Sequence, residues 1–207
     1  MIRKFWILLP LSFLISVSLF GQEKEKKKSA SEGADSTIVL SKGRIVYKDR
    51  IYRQNAAFMT FGYGAGYGFA SKKIEQNMSF SYHYFIKKIG LQFGYHSSSD
   101  TKIWWNSHQK LNNLFLGVGK RWEGTRYNFS IFGGPSWAYG SFFNNAEHTS
   151  WHYFSVAGLH AEAQATYKVS YDIGVGLSLY GDLNQEYSVA GAQIHLFFST
   201  AYVRNYN

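Results

Sequence analysis

Eight segments of alternating apolar and polar or small residues constrain the fold of this chain more than any other feature. Each is about ten residues long, rich in glycine, tyrosine and phenylalanine, and has the two-residue period of a β-strand rather than a helical period. Tilted strands of this length can cross a lipid bilayer. The segments are residues 58–69, 78–86, 89–96, 111–122, 126–139, 153–167, 172–180 and 188–198.

The linkers between these segments alternate in length. The second, fourth and sixth are tight, whereas residues 98–110 and 140–151 are long and polar. Long loops on one side and tight turns on the other are typical of a membrane β-barrel. We therefore predict an all-β fold, an eight-stranded antiparallel up-and-down transmembrane β-barrel within residues 55–207. A β-sandwich is the main alternative, but its strands are usually shorter than these segments.

One face of each segment is apolar. In the seventh segment, for example, Ile173, Val175 and Leu177 alternate with Gly174 and Gly176. Eight strands enclose room for little more than packed side chains, so these bulky faces do not fit inside the barrel. We expect them to face lipid, with aromatic residues collected at the two membrane interfaces. The candidates for these interface positions are Trp122, Trp137 and Tyr139.

The first 54 residues are predicted to lie outside the barrel. Residues 1–22 have the positive start and short apolar stretch of a cleaved signal peptide, with an uncleaved anchor as the alternative. Residues 23–54 are predicted to form a periplasmic N-terminal tail. Its charged first part, 23–37, should be disordered. The remaining part, 38–54, has the composition of two short strands.

Composition narrows the choice of partners and chemistry. The chain has no cysteine, which excludes disulfides, cysteine nucleophiles and thiolate metal sites. The net charge is +9, but no nucleic-acid-recognition motif accompanies it, so we predict no nucleic-acid partner. Beyond the signal no apolar stretch is long enough for a helical membrane span.

The polar faces of the segments predict a buried network inside the barrel. Glu162 is the only inward-facing carboxylate within the eight segments, and a buried carboxylate needs a partner. Arg121 is the natural cation for it, and we predict that the two pair. Histidine and glutamine side chains should satisfy the remaining groups. The predicted network consists of Arg121, Glu162, His160, Gln164, Gln193, His195, His83 and Gln92.

Two of these groupings admit a chemical interpretation. His160 and Glu162 on one strand, with His195 nearby, have the residue types that ligate a divalent metal. His96 and Ser98 have a spacing seen in lipid-facing sites of some outer-membrane lipid deacylases, although no acid is clearly placed to join them. The structural interpretation is favoured in both cases. We therefore assign no catalytic residue, no metal site and no cofactor.

The long loops predict a second kind of site. They carry large apolar side chains on otherwise polar segments, and such aromatic residues commonly anchor recognition interfaces. The alternative is that they pack against each other or enter the outer leaflet. The candidates are Trp104, Trp105, Phe142, Phe143 and Trp151.

Over residues 56–198 the chain resembles the small eight-stranded outer-membrane barrels of the OmpX and OmpA-transmembrane-domain type. The resemblance rests on length, signal, strand number and loop rhythm. One departure is that nine residues follow Phe198, where such barrels often finish on an aromatic residue. Either the last strand continues to Tyr202 and beyond, or the assembly signal is internal.

This resemblance implies a monomeric protein in the outer membrane of a Gram-negative bacterium, surrounded by outer-membrane lipid. It implies a structural or interaction role: envelope integrity, binding through the loops, or service as an accessory subunit of an envelope complex. A protein partner would meet the outer loops or the periplasmic tail. A narrow, porin-like channel for small solutes and a lipid-modifying enzyme are the alternatives.

Overall fold

The computed structural model of the chain describes residues 38–40, 43–47, 50–100, 110–143 and 151–205. No helix in these ranges is long and apolar enough to cross a membrane. The predicted signal peptide and residues 23–37 lie outside them. The strands are β1 Ile38–Leu40, β2 Arg44–Tyr47, β3 Arg50–Arg53, β4 Phe58–Gly68, β5 Lys73–Ile86, β6 Ile89–Ser99, β7 Lys110–Glu123, β8 Tyr127–Phe143, β9 Trp151–Lys168, β10 Ile173–Asn184, β11 Val189–Ser199 and β12 Tyr202–Asn205.

Strands β4 to β11 form a closed barrel in which every neighbouring pair is antiparallel. Strand β11 pairs with β4 along its whole length and closes the ring. The predicted eight-stranded antiparallel barrel is thereby confirmed. We call the end with turns 87–88, 124–126 and 169–172 the short-turn end, and the opposite end the long-loop end.

The outer wall of the barrel is apolar. Side chains alternate across each strand, so that Leu177 and Leu179 point outward with more than 60 % of their surface exposed, while Ser178 between them is buried. Trp122, Trp137 and Tyr139 are also exposed on this wall. Burying such a surface in hydrocarbon is strongly favourable, at roughly 25 cal/mol per Å². The wall therefore matches a lipid environment.

Several strands extend beyond the alternating segments of the sequence. Strand β5 begins at Lys73 and β10 continues to Asn184. Polar side chains are tolerated there because strand ends can lie at the bilayer interface or beyond it. The extensions bring Glu75 and Asp182 into the interior, where both are buried. Glu162 therefore shares the interior with two carboxylates that lie outside the eight predicted segments.

A second, four-stranded sheet lies against the short-turn end, in the order β1-β2-β3-β12. Strand β11 ends at Ser199 and β12 is a separate strand that pairs with β3. The Tyr52 ring packs on Tyr171 of a barrel turn, with centroids 4.5 Å apart. The Arg53 amide donates to the Ala201 carbonyl at 2.8 Å. The two chain segments that flank the barrel are thus joined beneath it.

Candidate functional site

The predicted interior residues come from five strands of the barrel. Strands β5, β6 and β7 supply one each, β9 supplies three and β11 supplies two. All eight are buried, as the inward position of each in the alternation requires. They do not form one network, however, but lie at different depths with different partners. They are His83, Gln92, Arg121, His160, Glu162, Gln164, Gln193 and His195.

Asp182 is the centre of the polar layer in the middle of the barrel. Its carboxylate accepts a hydrogen bond from His160 Nδ1 at 2.6 Å, and His96 Nδ1 lies 2.5 Å from its other oxygen. It also accepts one from the Asn113 side-chain amide. The Phe115 ring stacks on His160 with centroids 3.7 Å apart and fixes the plane of the imidazole. Three strands besides β10 are thus connected through one carboxylate.

Glu162 belongs to the same layer but not to the predicted ion pair. Gln92 Nε2 donates to its carboxylate at 2.6 Å, and His160 Nε2 lies 3.9 Å away. Arg121 instead pairs with Glu123, with 3.0 Å between Nη2 and Oε1. Residues 121 and 123 face the same side of one strand, so the guanidinium reaches the nearer carboxylate at the barrel end. The predicted Arg121–Glu162 pair is therefore wrong.

Glu123 is the centre of a second cluster, at the floor of the barrel. Its Oε1 accepts hydrogen bonds from Lys168 Nζ at 2.8 Å and from the Tyr171 hydroxyl at 3.0 Å, in addition to the Arg121 contact. Its Oε2 accepts the Asn55 amide at 2.9 Å. Burial, together with the adjacent Glu123 carboxylate, raises the pKa of the Tyr171 phenol, which therefore stays a donor.

An aromatic layer separates the two clusters. The Arg121 guanidinium lies over the Phe58 ring, 4.7 Å from its centroid. The His83 ring stacks on Phe58, with centroids 4.1 Å apart, and is tilted against Phe132, with centroids 4.7 Å apart. Side chains thus fill the cross-section here. The buried phenylalanines of the layer are Phe58, Phe85, Phe132 and Phe197.

The long-loop end is closed by a third cluster. Glu75 accepts hydrogen bonds from Ser71 and Ser98, both at 2.7 Å, and from the Tyr187 hydroxyl. Tyr187 follows β10 and reaches back into the barrel, where its ring stacks on Phe154 at 6.0 Å between centroids. The apolar members of this layer are Leu111, Ala138, Phe154, Tyr180, Tyr187 and Val189.

The remaining predicted residues have neutral partners. Ser79 donates to Gln193 at 2.5 Å, Ser130 donates to Gln164 at 3.1 Å, and His195 Nε2 lies 2.9 Å from the Thr166 hydroxyl. Within the described residues no three histidine or acidic side chains are placed to hold a metal ion. The interpretation of residues 160, 162 and 195 as a metal site thus has no geometry to support it.

The structure also gives no lipid-facing site at His96 and Ser98. Both side chains point into the barrel and are buried, at 1 % and 0 % exposure. His96 contacts Asp182 and Ser98 donates to Glu75. Even-numbered residues of β6 face inward, so neither group meets a lipid substrate on the outer wall.

The loop residues predicted as an interaction site are only partly described. Trp151 is the first residue of β9 and is 39 % exposed. Phe142 and Phe143 lie in β8, but their side chains are outside the described part of the chain. Trp104 and Trp105 lie outside the described residues altogether. The aromatic loop surface therefore stays a prediction.

Replacing Gly94 by alanine should destabilise the middle layer. A Cβ at Gly94 would overlap the Phe115 ring and lie 2.9 Å from the Phe80 carbonyl oxygen. Phe115 cannot move easily because it stacks on His160. We expect the free energy of unfolding to fall by about 1–3 kcal/mol in denaturant titrations of micelle-embedded protein. Gly181→Ala is the matched control, since its Cβ meets nothing within 4 Å; an equal loss in both variants would contradict the overlap.

The barrel has the fold of known small outer-membrane proteins. It is similar to the crystal structure of Neisserial surface protein A, with a TM-score of 0.54, 10% identity and coverage of 69% of this chain and 96% of that one. It is also similar to Ail, the attachment invasion locus protein of Yersinia pestis, with a TM-score of 0.51, 11% identity and coverage of 72% and 97%. The N-terminal β-barrel domain of Pseudomonas aeruginosa OprF has a TM-score of 0.49, 17% identity and coverage of 70% and 98%.

No protein-family model and no curated protein matches the sequence. The similarity thus lies in the fold, that of the small eight-stranded outer-membrane barrels.

Proposed function

We propose that this protein is an integral outer-membrane β-barrel with a structural or interaction role, and that it is neither a channel nor an enzyme. One observation carries the proposal: an apolar wall surrounds an interior that is crossed by three successive layers of buried side chains. Such a barrel is stable in lipid, and the buried side chains of its described residues oppose the passage of solutes.

The orientation follows from the ends of the barrel. Strand β3 precedes the first barrel strand and β12 follows the last one, and the two pair with each other at the short-turn end. In outer-membrane barrels the short turns face the periplasm and the long loops face the outside. The small sheet is therefore assigned to the periplasm, and Trp151 with the other loop aromatics to the cell surface. Two proteins of similar fold, Neisserial surface protein A and the attachment invasion locus protein Ail, carry names that agree with surface display.

Conductance measurements test the closed interior. Protein inserted into a planar lipid bilayer should give no current steps above the bare membrane, because layers of buried apolar side chains cross the interior at two depths. An open porin in the same membrane serves as the positive control. Discrete, reproducible steps from this protein would refute the proposal and favour the channel alternative.

Photo-crosslinking in intact cells tests the interaction role. Probes placed at Trp105 and Tyr47 sample the two ends of the barrel separately. A discrete product at either position supports an interaction role and identifies the side on which the partner lies. If no crosslinked product forms at either position, the interaction role is refuted and only the structural role remains.

A further inference from the structure

The positive charge of this protein is concentrated at one end of the barrel. Six basic side chains are exposed at the short-turn end. The two described carboxylates of that end are engaged with the protein: Glu123 holds the floor cluster and Asp172 accepts the Ala201 amide at 3.2 Å. Among the described residues, the exposed charged side chains of this end are therefore predominantly basic. The six side chains are Arg44, Arg50, Arg53, Lys87, Lys88 and Arg126.

The long-loop end has no such excess. Lys72, Lys73 and Lys110 are exposed there, but Asp100 and Glu186 accompany them in the described residues. Glu186 pairs with His152 at 3.3 Å. Among the described residues, the exposed positive charge is therefore not spread evenly over the surface.

Part of this cationic surface borders the lipid-facing wall directly. Lys87 and Lys88 form the two-residue turn between Ile86 and Ile89, which pair with each other and are both more than half exposed on the wall. Arg126 precedes the exposed Tyr127 in the next short turn. These three cations, which we call the basic rim, thus lie where the hydrocarbon layer gives way to headgroups.

Lys120 marks the same depth on the outer wall itself. Its side chain is exposed, and Nζ lies 5.1 Å from the centroid of the Trp122 ring. A tryptophan on the wall is typical of the interface, and a lysine beside it can extend its ammonium group to the headgroup layer. The rim is therefore at phosphate height, not in the aqueous space beyond.

We propose that the basic rim binds the anionic headgroups of the phospholipid leaflet around the short-turn end. The inference rests on the proposed membrane location. Clustered lysine and arginine at a membrane surface attract anionic lipids, and the attraction weakens with salt. A soluble acidic polymer could also bind clustered cations. It would not explain why these cations border the apolar wall, whereas lipid headgroups lie at that position. In this way the basic rim fixes the depth of the barrel in the bilayer and determines which lipids surround it.

Two variants of equal charge test the proposal. In the rim variant, Lys87→Gln, Lys88→Gln and Arg126→Gln are combined; in the control, Lys72→Gln, Lys73→Gln and Lys110→Gln are combined at the opposite end. Protein purified from the membranes of expressing cells is placed in nanodiscs with equal amounts of phosphatidylglycerol and phosphatidylcholine. Lipids that stay bound after extraction into detergent are counted by native mass spectrometry, and circular dichroism confirms the β-fold of each variant.

The unsubstituted protein should retain phosphatidylglycerol preferentially. The rim variant should lose this enrichment at least about fivefold, and the control less than about twofold. Equal losses in both variants, or no enrichment in the unsubstituted protein, would overturn the inference. If the rim variant loses polyglutamate binding while its lipid enrichment is unchanged, the inference is overturned, and the ligand of the basic rim is a soluble acidic partner rather than lipid. Failure of the protein to enter nanodiscs would instead contradict the proposed membrane location.

Discussion

Replacing Glu123 by glutamine is expected to lower the free energy of unfolding by about 3–5 kcal/mol. The carboxylate is the common acceptor for Arg121, Lys168 and Tyr171. Glutamine has nearly the same shape but no charge, so two buried cations would lose their counterion. Breaking a buried pair in this way costs more than the pair itself contributes, because the remaining charge stays desolvated. Denaturant titration of the protein in micelles measures the loss.

Two further variants make this result specific to the floor cluster. Glu186→Gln removes a carboxylate that is 38 % exposed and pairs with His152. It should cost at most about 1 kcal/mol. Adding Lys168→Met to the Glu123 variant removes one of the orphaned cations and should restore part of the stability. Equal losses at residues 123 and 186, or no recovery in the double variant, would show that the cluster does not hold the barrel floor.

The same substitution should loosen the small sheet. The Asn55 amide donates to Glu123, and the Ala56 carbonyl accepts Arg121 Nη1 at 3.1 Å. Both contacts tie the connection between β3 and β4 to the barrel. We expect limited proteolysis to cut this connection faster in the Glu123 variant than in the Glu186 control.

Alternation alone was enough to predict the barrel. A strand such as β10 shows its lipid-facing side directly, because Ile173, Val175 and Leu177 alternate with glycine and serine. Eight such segments with alternating loop lengths leave few other folds. The inward position of Glu162 and His160 follows from the same alternation, which is why their burial could be predicted.

The contacts among the interior residues could not be predicted in the same way. Alternation gives the side of a side chain, but its depth and partner depend on strand register and on where each strand ends. Asp182 and Glu75 lie in extensions whose polar residues look like loops in the sequence. Glu123 occupied a predicted turn. Glu123 could have been predicted as the partner of Arg121, because residues 121 and 123 share a face if β7 continues by one residue.

The small sheet shows a related limit. Two short strands in residues 38–54 were expected, and the structure has β1, β2 and β3 there. Their pairing with β12 joins residues that are about 150 positions apart in the chain, a type of contact that local composition does not encode. The hydrophobic residues around Tyr202 showed only that some strand could form.

Removal of the Asp182 carboxylate should be the second most damaging change. Asp182→Ala would remove the acceptor of His160 Nδ1 and of the Asn113 side-chain amide, and it would leave His96 Nδ1 without the carboxylate that lies 2.5 Å from it. Each unsatisfied buried donor costs about 1–3 kcal/mol. Since two buried donors and one close imidazole contact are affected, we expect the free energy of unfolding in micelles to fall by about 3–5 kcal/mol. Asp182→Asn keeps one acceptor oxygen and should lie between this variant and the unsubstituted protein.

Ser178→Ala is the matched control for this prediction. Ser178 is on the same strand, faces inward and is buried, yet its hydroxyl has no hydrogen-bond partner in the described part of the chain. Its removal should change stability by no more than about 0.5 kcal/mol. If Asp182→Ala cost as little as the control, water would have to enter the barrel and satisfy the two donors that lost their acceptor. The middle layer would then be hydrated rather than closed, and the case against a channel would lose one of its three layers.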